Sequence, residues 1–131
     1  MYNLFLDDVR VPEDVSNYIF PVELRLLYKL NEWKIVRSHK QFVDHIIMHG
    51  LPGMISFDHD LADAHYEPAT WKEGHVYEEE TGYDCAKWLV DHCLRTKKEL
   101  PDFLVHSMNP VGSKNIKDLL NNFQKFQEND N

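Results

Sequence analysis

Four short runs of β-forming residues, NLFLDD (3–8), WKIVRS (33–38), MISFDHDL (54–61) and FLVHSM (103–108), each pass into charged or polar residues at or near their C-terminal ends. Longer stretches of helical period separate them. Such alternation fits a parallel sheet with helices on both faces, because a parallel strand needs a crossover to reach its neighbour. Right-handed crossovers bring every strand's C-terminal end to one edge, where open α/β sheets bind ligands. Asp7 and Asp8, Arg37 and Ser38, Asp58 and Asp60, and His106 and Ser107 are therefore expected to meet on one edge.

Caps and period place the helices. Ser38 is an N-cap for a helix through His49, with Phe42, Val43, Ile46 and Ile47 on its apolar face and Gly50 closing it. Thr81 opens another, whose buried stripe is Tyr83, Ala86, Leu89, Val90 and Cys93. A last helix starts at Pro110 or Ser113 and carries Ile116, Leu119, Leu120, Phe123 and Phe126, with a polar tail expected to fray over about residues 126–131. Within residues 11–32 the piece with most helical character is ELRLLYKL. Residues 62–80 read as one long loop, a length that usually marks function or disorder.

A chain of 131 residues without repeats or linkers is expected to form one domain, residues 1–131. Its net charge of −8 works against an extended nucleic-acid track, but leaves room for a small anion or an RNA end held in a local pocket. No apolar run reaches the ~18 residues of a membrane span, and MYNLFLDDVR lacks the basic start of a signal peptide, so a cytoplasmic location is expected. Cys85 and Cys93 are eight residues apart on one expected helix, ~12 Å between Cα atoms and too far for a disulfide.

Asp58 and Asp60 would share one face of a strand, with His59 on the other. Together with Asp7 and Asp8 they form a carboxylate cluster whose mutual repulsion a divalent cation would relieve. Mg²⁺ or Mn²⁺ suits a few carboxylates plus a phosphate. The competing reading makes these acids caps and solvated turn residues, and for Asp63 that reading is preferred. His106 suits a general acid or base beside a metal-bound phosphate, or else a packed core histidine. Ser107, Asn109, Pro110 and Gly112 look like the entry to a helix N-terminus that receives an anion. His65 and His75 match no zinc spacing, and Trp71 and Trp88 are weak candidates for stacking on a base. No phosphate-binding glycine loop, nucleophile elbow or dinucleotide fingerprint is present.

At LFLDDVR, ISFDHDL, TGYDCAKWL and VHSMNPVGSKNI, spread in order from Leu4 to Ile116, the chain resembles the cyclic-phosphate-processing receiver-like family. That family is related to the receiver domains of response regulators. The resemblance implies a flavodoxin-like three-layer α/β sandwich of about four parallel strands in the order 2-1-3-4, lacking the fifth receiver strand and its lysine. By matching motif positions, Asp7, Asp8 and Asp58 would hold the metal. Asp58 would occupy the phosphoacceptor position and Ser107 would contact the phosphoryl group. His59, Asp60, His106 and Asn109 follow the cyclic-phosphate group instead.

The function implied is a metal-dependent phosphoesterase acting on cyclic phosphates, either 2′,3′-cyclic phosphate RNA ends or cyclic nucleotides and oligonucleotides. Asp58 and His106 would be catalytic, and Arg10, His59, Asp60, Ser107 and Asn109 would hold the phosphate. Whether Asp58 attacks or only binds metal stays open. The alternatives are a phosphoacceptor signalling module and a binding module without turnover.

Overall fold

A computed structural model describes residues 1–61 and 80–129 of the chain. Four strands, β1 (Asn3–Leu6), β2 (Lys34–Val36), β3 (Met54–Phe57) and β4 (Asp102–Val105), pair in parallel in the order β2-β1-β3-β4. This is the expected topology. Each ladder stops where the polar residues begin, so the strands are shorter than the sequence runs that contain them. β3, for example, ends at Phe57 and not at Leu61.

Alternation along the strands divides the core in two. Leu4, Leu6, Val36, Ile55 and Phe57 point to one face, under α3 (His39–His49), α4 (Gly82–Thr96) and α5 (Pro110–Asn129). Phe5 points to the other, against Val15 and Ile19 of the segment around α1 (Pro12–Ser16) and Tyr28 of α2 (Leu24–Leu30). The ELRLLYKL segment supplies α2. Helix α1, with five residues, is too short to leave a periodic signal in the sequence.

Ser38 caps α3 by accepting from the Gln41 N–H, and Gly50 ends it at φ 85°. Thr81 and Asp84 cap α4 reciprocally. Cys85 and Cys93 are buried free thiols on α4. The tail expected to fray from residue 126 is helical to Asn129 among the described residues. Gln127 accepts from the Leu100 N–H (3.0 Å) and donates to the Lys98 carbonyl (2.9 Å), which ties the last turn to the α4–β4 connection. No described helix is long and apolar enough to cross a membrane.

Two helix N-termini close tightly on the segment after β3. The Gly82 N–H donates to the His59 carbonyl (2.8 Å), and a Cβ on Gly82 would overlap the Asp58 carbonyl oxygen. A Cβ on Gly112, in the first turn of α5, would run into the His59 ring. Helix propensity alone would make Gly82→Ala stabilising by up to about 1 kcal/mol. The close approach reverses the sign, and urea unfolding should show Gly82→Ala destabilised by about 2–3 kcal/mol, the usual cost of overpacking. A stability equal to or above wild type would refute this packing.

Candidate functional site

The register Leu6↔Phe57↔Val105 puts Asp7, Asp58 and His106 one step beyond the ladder on three adjacent strands. Backbone bonds carry the alignment through that step: Asp58 N–H to Leu6 O (3.0 Å) and His106 N–H to Phe57 O (2.9 Å). All three side chains share the parity of Phe5, Ser56 and Leu104, so they project to the α1–α2 face. Asp7 and His106 are fully buried and Asp58 is 4% exposed. One ligand atom from each lies within 4.8 Å of the others, a grouping that could hold a metal ion.

An open cleft of about 410 Å³ lies over these strand ends. Of the residues proposed from the sequence, Asp7, Asp8, Arg10, Asp58, Asp60, Ser107 and Asn109 line it, whereas His59 and His106 do not. Asp63, His65, Trp71 and His75 lie outside the described residues. Trp88 sits on α4 edge-on to Phe42 at 6.1 Å, a packing position away from the cleft.

The two buried acids have opposite environments. Burial alone would raise the Asp7 carboxyl, but donors outweigh it. These are His106 Nε2 (3.0 Å), the Arg10 N–H (2.8 Å) and the Val9 N–H (2.9 Å), which hold the group well below the usual carboxylate range. Asp58 accepts from the His59 N–H (2.9 Å), and burial together with the neighbouring Asp7 charge pushes its pKa up to about 6. Arg10 leans on both acids from the rim, at 3.4 Å from Asp7 and 3.9 Å from Asp58, with its guanidinium over the Tyr18 ring. Both contacts are longer than the ~2.7–2.9 Å of a strong charge-assisted bond. Arg37 holds the loop that carries these groups, donating to the Asp7 (3.2 Å) and Arg10 (2.7 Å) carbonyls.

His106 lies behind the acids and not in the cleft. Its Nε2 faces Asp7, its Nδ1 meets Ser56 Oγ at 2.6 Å, and its ring stacks on Phe5 with centroids 4.5 Å apart. A histidine that exchanged protons with substrate would need one nitrogen open to the cleft, so the expected direct acid–base role does not fit this placement. Burial also holds His106 below its ordinary pKa, against the pull of Asp7. Sequence reasoning missed Ser56, and with it Tyr28, whose hydroxyl reaches Ser56 Oγ at 2.6 Å. The available signal was a serine between Ile55 and Phe57 on a strand covered on both faces, where a polar group requires a partner. Tyr18 was also missed, and its hydroxyl donates to the His106 carbonyl (2.8 Å).

Asp60 does not share a face with Asp58, because the two-residue period ends with the ladder at Phe57. Its carboxylate turns to His59 Nδ1 (2.8 Å) and to Asn109 Nδ2 (3.3 Å), and the His59 bond leads in holding it below its ordinary pKa. Asn109 also accepts from the Gly112 N–H (3.0 Å), which caps α5, and its own N–H donates to Ser107 Oγ (3.1 Å). His59, Asp60 and Asn109 thus form one clasp between the β3 and β4 loops.

The raised Asp58 carboxyl has a consequence for stability. Its folded pKa of about 6 lies above the ~3.9 of an unfolded aspartate, so the folded state binds the extra proton. The stability Asp58 contributes is complete below pH ~4 and is lost as pH rises through about 6, on the order of 3 kcal/mol in metal-free buffer. Asp7 has the opposite sign: its contribution is present above pH ~4 and is lost only at lower pH. Asp58→Asn cannot ionise. Urea unfolding should therefore find it more stable than wild type at pH 7.5 and nearly equal to it at pH 4. A constant difference across that range would contradict the assignment.

Comparison with known families returns a match over nearly the whole chain: the model of the cyclic-phosphate processing receiver domain aligns with residues 2–122. No curated protein and no solved structure matches. The strand order, the acids ending β1 and β3, and the extent of the match agree, and the chain belongs to the cyclic-phosphate processing receiver domain family.

Proposed function

We propose that this chain is a metal-dependent phosphoesterase that opens cyclic phosphates, with a small cyclic nucleotide or the 2′,3′-cyclic phosphate end of an RNA as substrate. The observation that carries the reading is the pair Asp7–Asp58. Two buried carboxylates sit side by side on a cleft, and the second is pushed up by burial and by the charge of the first. A divalent cation relieves that repulsion. The donor set fits Mg²⁺ or Mn²⁺, since Asp7, Asp58 and the cleft-lining Asp8 are hard oxygen ligands and the open cleft leaves room for water and phosphate.

When bound, such a cation polarises a phosphoryl oxygen and lowers the pKa of a coordinated water. The chain's own residues supply the rest. Arg10 is 29% exposed and held by long contacts, so it is able to turn from the acids to a phosphate oxygen once a cation takes its place. The Ser107 hydroxyl and the Asn109 amide lie on the same wall as further donors to the phosphate. Asp58 lines the cleft beside the Asp7 carboxylate and serves as a metal ligand or as the nucleophile. His59 and Asp60 support the wall through their clasp with Asn109.

Titration with MnCl₂ should raise the melting temperature of the wild type, with little or no rise for Asp7→Asn or Asp58→Asn. Wild type with metal should turn over at least one member of a panel of 2′,3′-cyclic nucleotides, cyclic oligonucleotides and RNA bearing a 2′,3′-cyclic phosphate, and Asp58→Asn should not. Equal metal stabilisation of all three proteins would remove the metal. Labelling of Asp58 by an acyl-phosphate donor without turnover of the panel would favour the phosphoacceptor reading.

A further inference from the structure

Behind the two acids a chain of four side chains runs from the core to the cleft. Tyr28 OH and Ser56 Oγ are 2.6 Å apart, Ser56 Oγ and His106 Nδ1 are 2.6 Å apart, and His106 Nε2 and Asp7 Oδ2 are 3.0 Å apart. Tyr28 is 3% exposed and the other three are fully closed off from solvent. Tyr28 comes from α2, Ser56 from β3, and His106 and Asp7 from the residues just past β4 and β1.

With a neutral His106 ring, elementary donor and acceptor rules give the chain one direction. The Asp7 carboxylate can only accept, so His106 Nε2 carries the ring proton. In a neutral imidazole Nδ1 is then the acceptor, and the Ser56 hydroxyl must donate to it. That leaves the Ser56 oxygen to accept from the Tyr28 phenol. Each member has one role, and reversing any bond would set two acceptors or two donors against each other in a dry site. The order serine, histidine, aspartate does not make Ser56 a nucleophile, because its hydroxyl is fully buried and out of reach of a substrate.

We infer that Ser56 and Tyr28 are positioning residues for the acidic site: their hydroxyls fix the His106 ring from behind, so that its Nε2–H holds Asp7 in one orientation towards the cleft. Stacking on Phe5 at an interplanar angle of 5° sets the plane of the ring but leaves it free to turn over within that plane. The Ser56 bond removes that freedom, since only one of the two flipped orientations puts Nδ1 on Ser56 and Nε2 on Asp7 together. Hydrogen-bond partners of this kind behind a ligating carboxylate typically alter metal affinity by 10- to 100-fold. The inference rests on the reading of Asp7 as part of the ligand-binding site.

Two measurements on the full chain test it. The first needs no metal: ¹⁵N-resolved NMR of the His106 ring, assigned by its loss in His106→Gln. Wild type should show a slowly exchanging Nε2–H proton and an Nδ1 resonance shifted by hydrogen bonding. Ser56→Ala should broaden the first and move the second towards the free value, and Tyr28→Phe, the milder variant, should shift them partway. The second is Mn²⁺ affinity by water-proton relaxation, expected to fall about 10-fold in Ser56→Ala. Ile55→Val is the control, since Ile55 is equally buried on the opposite face and its trimming lowers stability without touching the chain of hydroxyls. A His106 ring proton unchanged in Ser56→Ala would overturn the inference, as would an equal loss of Mn²⁺ affinity in Ile55→Val. Failure of the wild type to bind Mn²⁺ would defeat the metal reading of the site, while the ring-proton measurement would still decide the positioning role.

Discussion

Two carboxylates at the same level of adjacent parallel strands are the constraint around which this end of the molecule is built. The pairing Leu6↔Phe57 leaves the next residues, Asp7 and Asp58, side by side and facing the same way. Both are buried, α1 and α2 pack on that face, and both acids line the cleft. The fold answers this unequally. Asp7 is met by donors from its own loop and from His106, while Asp58 has a backbone N–H and a distant guanidinium. One acid is thereby fixed as a charge and the other is left as the group whose charge is unpaid.

Much of the surrounding sequence follows from holding that arrangement still. Gly82 lets the N-terminus of α4 lie against the Asp58 carbonyl, and Gly112 lets α5 lie against the His59 ring. Both helices are thereby brought onto the three residues after β3. The Asn109–Asp60–His59 clasp joins the same segment to the β4 loop. Arg37 fixes the β1 loop from the far edge strand. The motifs TGYD and NPVGS thus act first as packing devices for the acidic loop, and of their residues Asn109 also lines the cleft.

The edge on which the site lies was legible because topology decides it. Four strand-like runs with helical stretches between them admit few arrangements, and all of them collect strand ends together. Details that depend on where a ladder stops were not legible. Asp58 and Asp60 look like same-face neighbours only if pairing continues to Leu61, and the sequence carries no mark that it ends at Phe57. The placement of His106 was hidden for a different reason. Its partners Ser56 and Tyr28 are 50 and 78 residues away, and no local pattern distinguishes a strand-end histidine facing a cleft from one facing inward.

Arg10 connects the electrostatics of the acid pair with those it would have around a cation. It stands at the mouth of the acid pair, within 4 Å of both carboxylates yet bound strongly to neither. A monocation at those distances lowers the repulsion between the acids but does not offset burial and the remaining Asp7 charge, so Asp58 stays raised despite the neighbouring guanidinium. A divalent cation seated between the carboxylates would do more with a smaller radius, and would repel Arg10 towards the cleft. An anionic ligand entering there would then meet two positive groups where the free protein presents two negative ones. Such a change of sign would let an acidic protein accept a phosphate, and would make anion binding conditional on prior occupation of the acid pair.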